Sequence, residues 1–252
     1  MMKKILLVGE SWISNATHYK GWDQFSSTTF HLGAEQLINS IDSTQFEIEY
    51  MTSHEAAEKF PSKISDLQKY SSIILSDIGS NTILLHPKVW IEGETFVNRL
   101  KLIKDYVQLG GSFLMVGGYL SFQGINGTAR YKGTPIEEIL PVNILPYDDR
   151  IEIPEGFNIT IKKEDHEILL GLSGSWPPLL GLNEVVPSST SKTIISTPES
   201  VGSHPLLVIG EYGSGKTMAW TSDIGPHWVS KEFLSWDGYT VLWNQILKWL
   251  VV

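Results

Sequence analysis

Within its first 120 residues the chain runs through four strand-like segments: KKILLVGES (3–11), FEIEYM (46–51), YSSIILSDIG (70–79) and SFLMVGG (112–118). Three of these are continuous apolar runs ending in glycine or small polar residues, the pattern of strands buried on both faces. Helical stretches lie between them. Ala34, Leu37, Ile38 and Ile41 recur at helical spacing from Phe30 onward, and SHEAAEKFP forms a short helix stopped by Pro61. Residues 94–109 carry Phe96, Leu100, Ile103 and Val107 on one face before the stop LGG. Strand and helix in alternation predict an α/β fold, a parallel sheet with right-handed crossovers and helices on both faces.

The second half reads differently. TPIEEILP (134–141) is a short helix, and VNILPYDDRIEIPEGFNITIKK (142–163) is a set of short strands broken by Pro146, Pro154 and Gly156. A strand follows around Thr193 to Ser196, and DGYTVLWNQILKWLVV closes the chain as a helix with Leu242, Ile246, Trp249 and Leu250 on one side. No repeat or low-complexity linker divides the chain, so one domain over 1–252 is expected, with a β-rich insertion over roughly 142–200. WISNATHYKGWDQFSST (12–28) shows no periodicity and reads as a loop.

One segment tempts a stronger reading. GEYGSGKT (210–217) matches the phosphate-loop pattern G-x-x-x-x-G-K-[ST] at every fixed position. A phosphate loop needs a helix directly after it, and the chain continues instead with TMAWTSDIGP. LLVIGEY and KTMAWTS joined by GSG read as a β-hairpin, with Lys216 and Thr217 opening its second strand. An ATPase on these residues is not expected.

Composition narrows the partners. A formal charge of −9, from 19 basic and 28 acidic residues, argues against nucleic-acid and anionic-membrane binding, which need basic surface. No apolar run approaches the ~18 residues of a membrane span, and ILLV is too short for a signal-peptide core. The cytoplasm is the expected compartment. The chain has no cysteine, which excludes disulfides, thiolate metal ligands and a cysteine nucleophile. Of nine tryptophans, Trp243 and Trp249 belong to a core helix. Trp12, Trp22, Trp90, Trp176, Trp228 and Trp236 sit in polar or Gly/Pro-rich surroundings, where an aromatic plate can line a pocket or an interface.

Ligands bind outside the carboxyl ends of the strands in an open parallel sheet. That rule gathers Glu10, Ser11 and Trp12 after the first strand, Asp77 with Ser80 and Asn81 after the third, and Gly117, Gly118 and Tyr119 after the fourth. Asp223, His227 and Trp228 join them after the late strand TMAWTSD.

The segments GGYLSFQG (117–124), GTPIEEILPV (133–142) and HPLLVIGEYGSGKTMAWTSDIGPHW (204–228) resemble the class I glutamine amidotransferase-like superfamily. The likeness is greatest to its branch of cytoplasmic glutamine amidotransferase-like proteins, distantly similar to the trehalose-utilisation family. The resemblance implies a flavodoxin-like core whose turn after SFLMV is a nucleophile elbow. It puts Tyr119 at the position of the family's catalytic cysteine and His227 at that of its base. Two residues beyond His227, where the family carries glutamate, stands Val229. A phenol titrating near ~10 is a poor nucleophile, so release of ammonia from glutamine is not expected.

Three readings remain. In the first, the edge binds a small polar ligand or a partner protein, with Trp12, Tyr119 and Trp228 stacking on a sugar-like ring while Glu10, Asp77 and Asp223 accept its hydroxyls. In the second, His227 works with Asp77, Asp223 or Glu10 as acid and base of a hydrolase or isomerase. In the third, tryptophan-rich loops bury themselves in a homo-oligomer interface. No cofactor is expected and no metal site, His31 and Glu35 on one helix face being too few ligands.

Overall fold

The computed structural model describes residues 2–251; Met1 and Val252 lie outside the described residues. β1 (Lys3–Gly9) is the centre of the first half. It is followed by β2 (Ser11–Lys20) and β3 (Asp23–Leu32), which among the described residues pair only with each other. Next come α1 (Glu35–Ser40), β4 (Phe46–Met51), α2 (Ser53–Lys59), α3 (Ile64–Leu67) and β5 (Ser72–Ser76). Then α4 (Ser80–Leu84), α5 (Pro87–Trp90) and α6 (Arg99–Gln108) lead to β6 (Ser112–Val116). The second half holds α7 (Pro135–Ile139), β7 (Val142–Ile144), β8 (Arg150–Phe157), β9 (Thr160–Ile161), β10 (Leu179–Asn183), β11 (Val185–Pro187) and β12 (Lys192–Ser196). β13 (Pro205–Tyr212), β14 (Gly215–Trp220), α8 (Lys231–Leu234) and α9 (Asp237–Val251) complete it.

Eight strands form the central sheet in the order β4-β1-β5-β6-β14-β13-β12-β9. The first five run parallel, and β13, β12 and β9 continue the sheet antiparallel. The predicted α/β architecture is present, and part of the β-rich stretch extends the main sheet instead of standing apart. The remaining strands make two small ribbons, β8 with β10 and β7 with β11.

Strand alternation divides the core. Ile5 and Leu7 face one layer with Leu37 and the buried side of α9, while Leu6 and Val8 face the other with Ala56, Ile83, Ile103 and Ile136. Both faces of β1 are therefore apolar, which is why its sequence shows no alternation. In α9, Leu242, Trp243, Ile246 and Leu250 are buried, each worth roughly 1.5–3 kcal/mol against exposure.

Arg99, fully buried at the start of α6, ties the second layer together. Its guanidinium donates to the carbonyls of Ala56 (3.2 Å), Ala57 (2.8 Å) and Phe60 (3.5 Å) at the end of α2, and to Thr82 (3.3 Å) and Ile83 (2.5 Å) in α4. Carbonyls at helix ends lack intrahelical donors and carry partial negative charge, so one cation serves two helices. Burial lowers its pKa to about 10.

Two sequence expectations are corrected here. Residues 12–28 are not a loop: β2 and β3 pair without interruption from Ser11 opposite Leu32 to Lys20 opposite Asp23. His31 lies on β3 while α1 begins at Glu35, so the two do not share a helix face.

Candidate functional site

β1 ends at Gly9, whose φ of +105° and 2.0 Å separation between an added Cβ and the Ser76 carbonyl admit only glycine. The next residue, Glu10, is also left-handed at φ 48°, and its amide donates to the Ser76 carbonyl at 2.7 Å. This turn sends the Glu10 side chain back over the strand ends. There its carboxylate accepts from the Ser76 hydroxyl at 2.6 Å and is almost wholly buried. Asp77, one strand over, repeats the arrangement at φ 43°, accepting from the Leu120 amide at 2.6 Å. Asp223, beyond β14, is buried and accepts from the amides of Ile224 (2.6 Å) and Gly225 (3.3 Å).

Glycine makes room for both carboxylates. A Cβ on Gly33 would stand 2.7 Å from Glu10 Oε1, and one on Gly118 would stand 2.7 Å from Asp77 Oδ1. Gly117 is held equally closely, 2.1 Å from the Thr221 carbonyl. Gly117 and Gly118 thus give close backbone approach around the acids.

The three acids repel one another. Burial raises Glu10 well above the usual carboxylate range, and the charges of Asp223 and Asp77 add to it against the Ser76 hydrogen bond. Burial, followed by Asp223, pushes Asp77 up to about 6, opposed by the Leu120 amide and His227. Tyr50 donates to the Glu10 carbonyl at 3.0 Å; burial and the Glu10 charge push its phenol up to about 12. Buried acids of one sign hold high affinity for protons, and strained φ angles at such residues point to function more than to folding.

His227, at φ 149°, places Nδ1 3.7 Å from Asp223 Oδ2. Its ring meets Tyr119 edge-on at 4.1 Å. Arg150 covers Tyr119 at 4.8 Å and grips Asp148 through two hydrogen bonds of 2.9 and 2.8 Å. Burial raises the Tyr119 phenol, which keeps it protonated at the position that resembles the nucleophile's. The elbow is followed by a single 3-10 turn, Ile125–Gly127, in place of a longer helix.

Other expected site residues have different work. Ser11 Oγ accepts from the Ser53 amide at 2.8 Å, serving the first turn of α2. Trp12 stands on the β2–β3 ribbon with its ring stacked on His31 at 5.0 Å. Trp228 is 0% exposed: its indole lies against Gly181, 2.3 Å from an added Cβ, and Nε1 donates to Glu152 at 3.0 Å. With no free face it cannot stack on a ligand, which corrects that part of the expectation. Trp176 is buried too, packed on Trp236 at 5.0 Å.

Sequence reasoning missed the residues that hold the elbow. Asn183, fully buried, accepts from the Gly118 amide at 3.0 Å and donates to Asp149 at 2.8 Å. Asp149 also accepts from the amides of Gln123 (2.8 Å) and Gly124 (2.9 Å). The Asp148-Asp149 pair in YDDR was the available signal. Among the described residues no group of three or more His, Asp or Glu is placed to hold a metal ion.

Residues 210–217 form the β13–β14 hairpin, with Tyr212 opposite Gly215. Its turn lies at the amino end of β6, away from the acids, beside a cavity of about 440 Å³ that Lys3, Ser112 and Ser214 line. Lys216 donates to the Trp249 carbonyl at 2.9 Å and rests on the Trp249 ring at 4.8 Å. Thr217 is buried within the sheet. Neither side chain is posed around a phosphate.

A family model described as "Putative glutamine amidotransferase" matches residues 4–252. No curated protein matches the chain. Among solved structures, a cytoplasmic protein from Salmonella typhimurium is 40% identical, with 98% of each chain covered and a TM-score of 0.93. A second, from strain LT2, is 39% identical over 98% of this chain and 99% of its own, with a TM-score of 0.92. A ThuA-like protein from Parabacteroides merdae shares the fold alone, at 12% identity over 100% of this chain and 91% of its own, with a TM-score of 0.59. On the strength of the match over nearly its whole length, the chain belongs to the class I glutamine amidotransferase-like family.

Proposed function

We propose that the carboxyl edge of the sheet binds a small, hydroxyl-rich polar ligand, sugar-like in its chemistry, and releases no ammonia from glutamine. The observation that carries this reading is the convergence of Glu10, Asp77 and Asp223, the first and last buried and Asp77 half-buried, with Glu10 and Asp77 in left-handed backbone. Carboxylates that repel one another gain when a ligand's hydroxyls donate to them, because each donated hydrogen bond offsets burial of the charge. Tyr119, half-buried beside His227, supplies the aromatic contact that Trp228 cannot. The chain has no cysteine and carries tyrosine at the elbow, so the family's thiol chemistry has no starting nucleophile. The Salmonella relatives are cytoplasmic, and that is the compartment of this reading.

A second reading rests on one contact. His227 stands 3.7 Å from Asp223, with Asp77 raised to about 6 nearby, and a carboxyl whose pKa lies near neutrality suits proton transfer. An enzyme of this kind would be a hydrolase or isomerase.

Thermal denaturation with a panel of sugars, sugar phosphates, glutamine and nucleotides tests the first reading, since a ligand of the folded state raises Tm. A rise of a few degrees, on the order of 1 kcal/mol, is expected with a sugar and is lost in Asp77→Asn. No rise with any hydroxylated compound, or ammonia released from glutamine, would contradict it. Turnover of the bound ligand that disappears in His227→Ala would favour the second reading.

A further inference from the structure

The β2–β3 ribbon is built unlike the rest of the molecule. A two-stranded hairpin is marginally stable alone in water, yet this one extends ten residue pairs, roughly 33 Å at ~3.3 Å per residue, with no other strand among the described residues beside it. Both of its faces are exposed, and on each of them apolar side chains stand among serines and threonines. Trp12 and Phe25 lie on one side, and Ile13, Tyr19, Phe30 and Leu32 on the other, all between 41% and 73% exposed. Trp22 at the tip is fully exposed.

Natural proteins protect free strand edges with lysine, proline or bulges. Here the register is unbroken, residues 11–32 contain no proline, and the only full charges are Lys20 and Asp23 beside the turn. Such edges are open to pairing.

We propose that the β2–β3 ribbon is an assembly arm exchanged between two copies of this chain. Charge selects a second copy as the occupant. The body is acidic, the whole chain carrying −9, whereas residues 11–32 carry one lysine and one aspartate and no net charge. An arm without net charge lies against a second acidic body without charge repulsion.

Area agrees. A ribbon ~33 Å long and ~10 Å wide offers about 330 Å² per face, so two faces bury roughly 660 Å². Specific complexes bury ~800 Å² per partner, and reciprocal exchange reaches that figure where a single arm does not. Two identical edges also pair antiparallel across a two-fold axis, the commonest symmetry of soluble oligomers. The Salmonella proteins match over 98% or more of both chains, too complete a coverage for the 22 arm residues to lack counterparts. Because β2 follows Glu10 directly, the interface adjoins the acid cluster.

Light scattering coupled to size exclusion tests this at micromolar concentrations. The wild type is expected at the mass of two 28.2 kDa chains. The double variant Tyr19→Asp, Phe25→Asp should weaken association by roughly 100-fold or more, since buried aromatic anchors dominate interfaces. A second variant, with residues 14–29 replaced by Gly-Ser, should be a monomer that still unfolds cooperatively, because the ribbon contributes nothing to either core. A wild-type mass of one chain overturns the proposal, as does a multimer that survives both variants. Association only with a different protein overturns it equally.

Discussion

Thr217 shows at residue scale why a sequence pattern and a site are different things. In a phosphate loop its hydroxyl would face a metal; here it is 0% exposed and makes no hydrogen bond. A buried hydroxyl without a partner costs desolvation and returns nothing. Thr217→Val, nearly the same shape, is therefore expected to raise the unfolding free energy, by up to about 1 kcal/mol, and chemical denaturation measures it. A loss of more than that, or a loss of ATP-dependent stabilisation, would mean that the hydroxyl has a ligand. The glycines of the same pattern have structural reasons of their own. Gly215 stands 2.1 Å from the Gly111 carbonyl as measured from an added Cβ, and Gly213 turns the hairpin at φ +59°.

At the scale of elements, what the sequence made legible follows burial. β1, β5 and β6 are covered on both faces, so their apolar runs were readable, as was the stripe on α9. The arm was not, because neither side of it is buried in its own chain and nothing imposes a polar-apolar alternation. Arg99 was equally hidden: it precedes a helical stripe as a surface cation would, yet it is buried on five carbonyls. Replacing it with methionine keeps much of the packing but strips the donors from the ends of α2 and α4. The expected cost is roughly 3 kcal/mol or more, read as a shift in denaturation midpoint. A cost below about 1 kcal/mol would mean that water replaces the guanidinium.

Taken as a whole, the molecule spends its topology on one edge. Glu10 and Asp77 were legible because the rule for parallel sheets names strand ends; Asn183 and Asp149 were not, because they come from the irregular half and reach the elbow only through folding. Trp228 looked like a ligand plate from its Gly-Pro neighbourhood and is instead a wall of the core. The resulting edge carries acids whose folded pKa values lie above their unfolded ones. Between about 4 and 6 the folded state then binds more protons than the unfolded state, so the Asp77 contribution to stability is full below the unfolded value and lost as pH rises through about 6.

The central claim, a cluster of buried and half-buried acids strained by its own charge, is tested most directly by measuring unfolding free energy against pH for the wild type and Asp77→Asn. Asparagine keeps an acceptor for the Leu120 amide and removes the charge. The variant is expected to gain on the wild type as pH rises from 4 to 7.5, by up to about 3 kcal/mol, with most of the gain between about pH 4 and 6 and little above. Parallel curves, or a variant that loses ground as pH rises, would show that Asp77 ionises without opposition and that the edge is not the strained acid cluster described here.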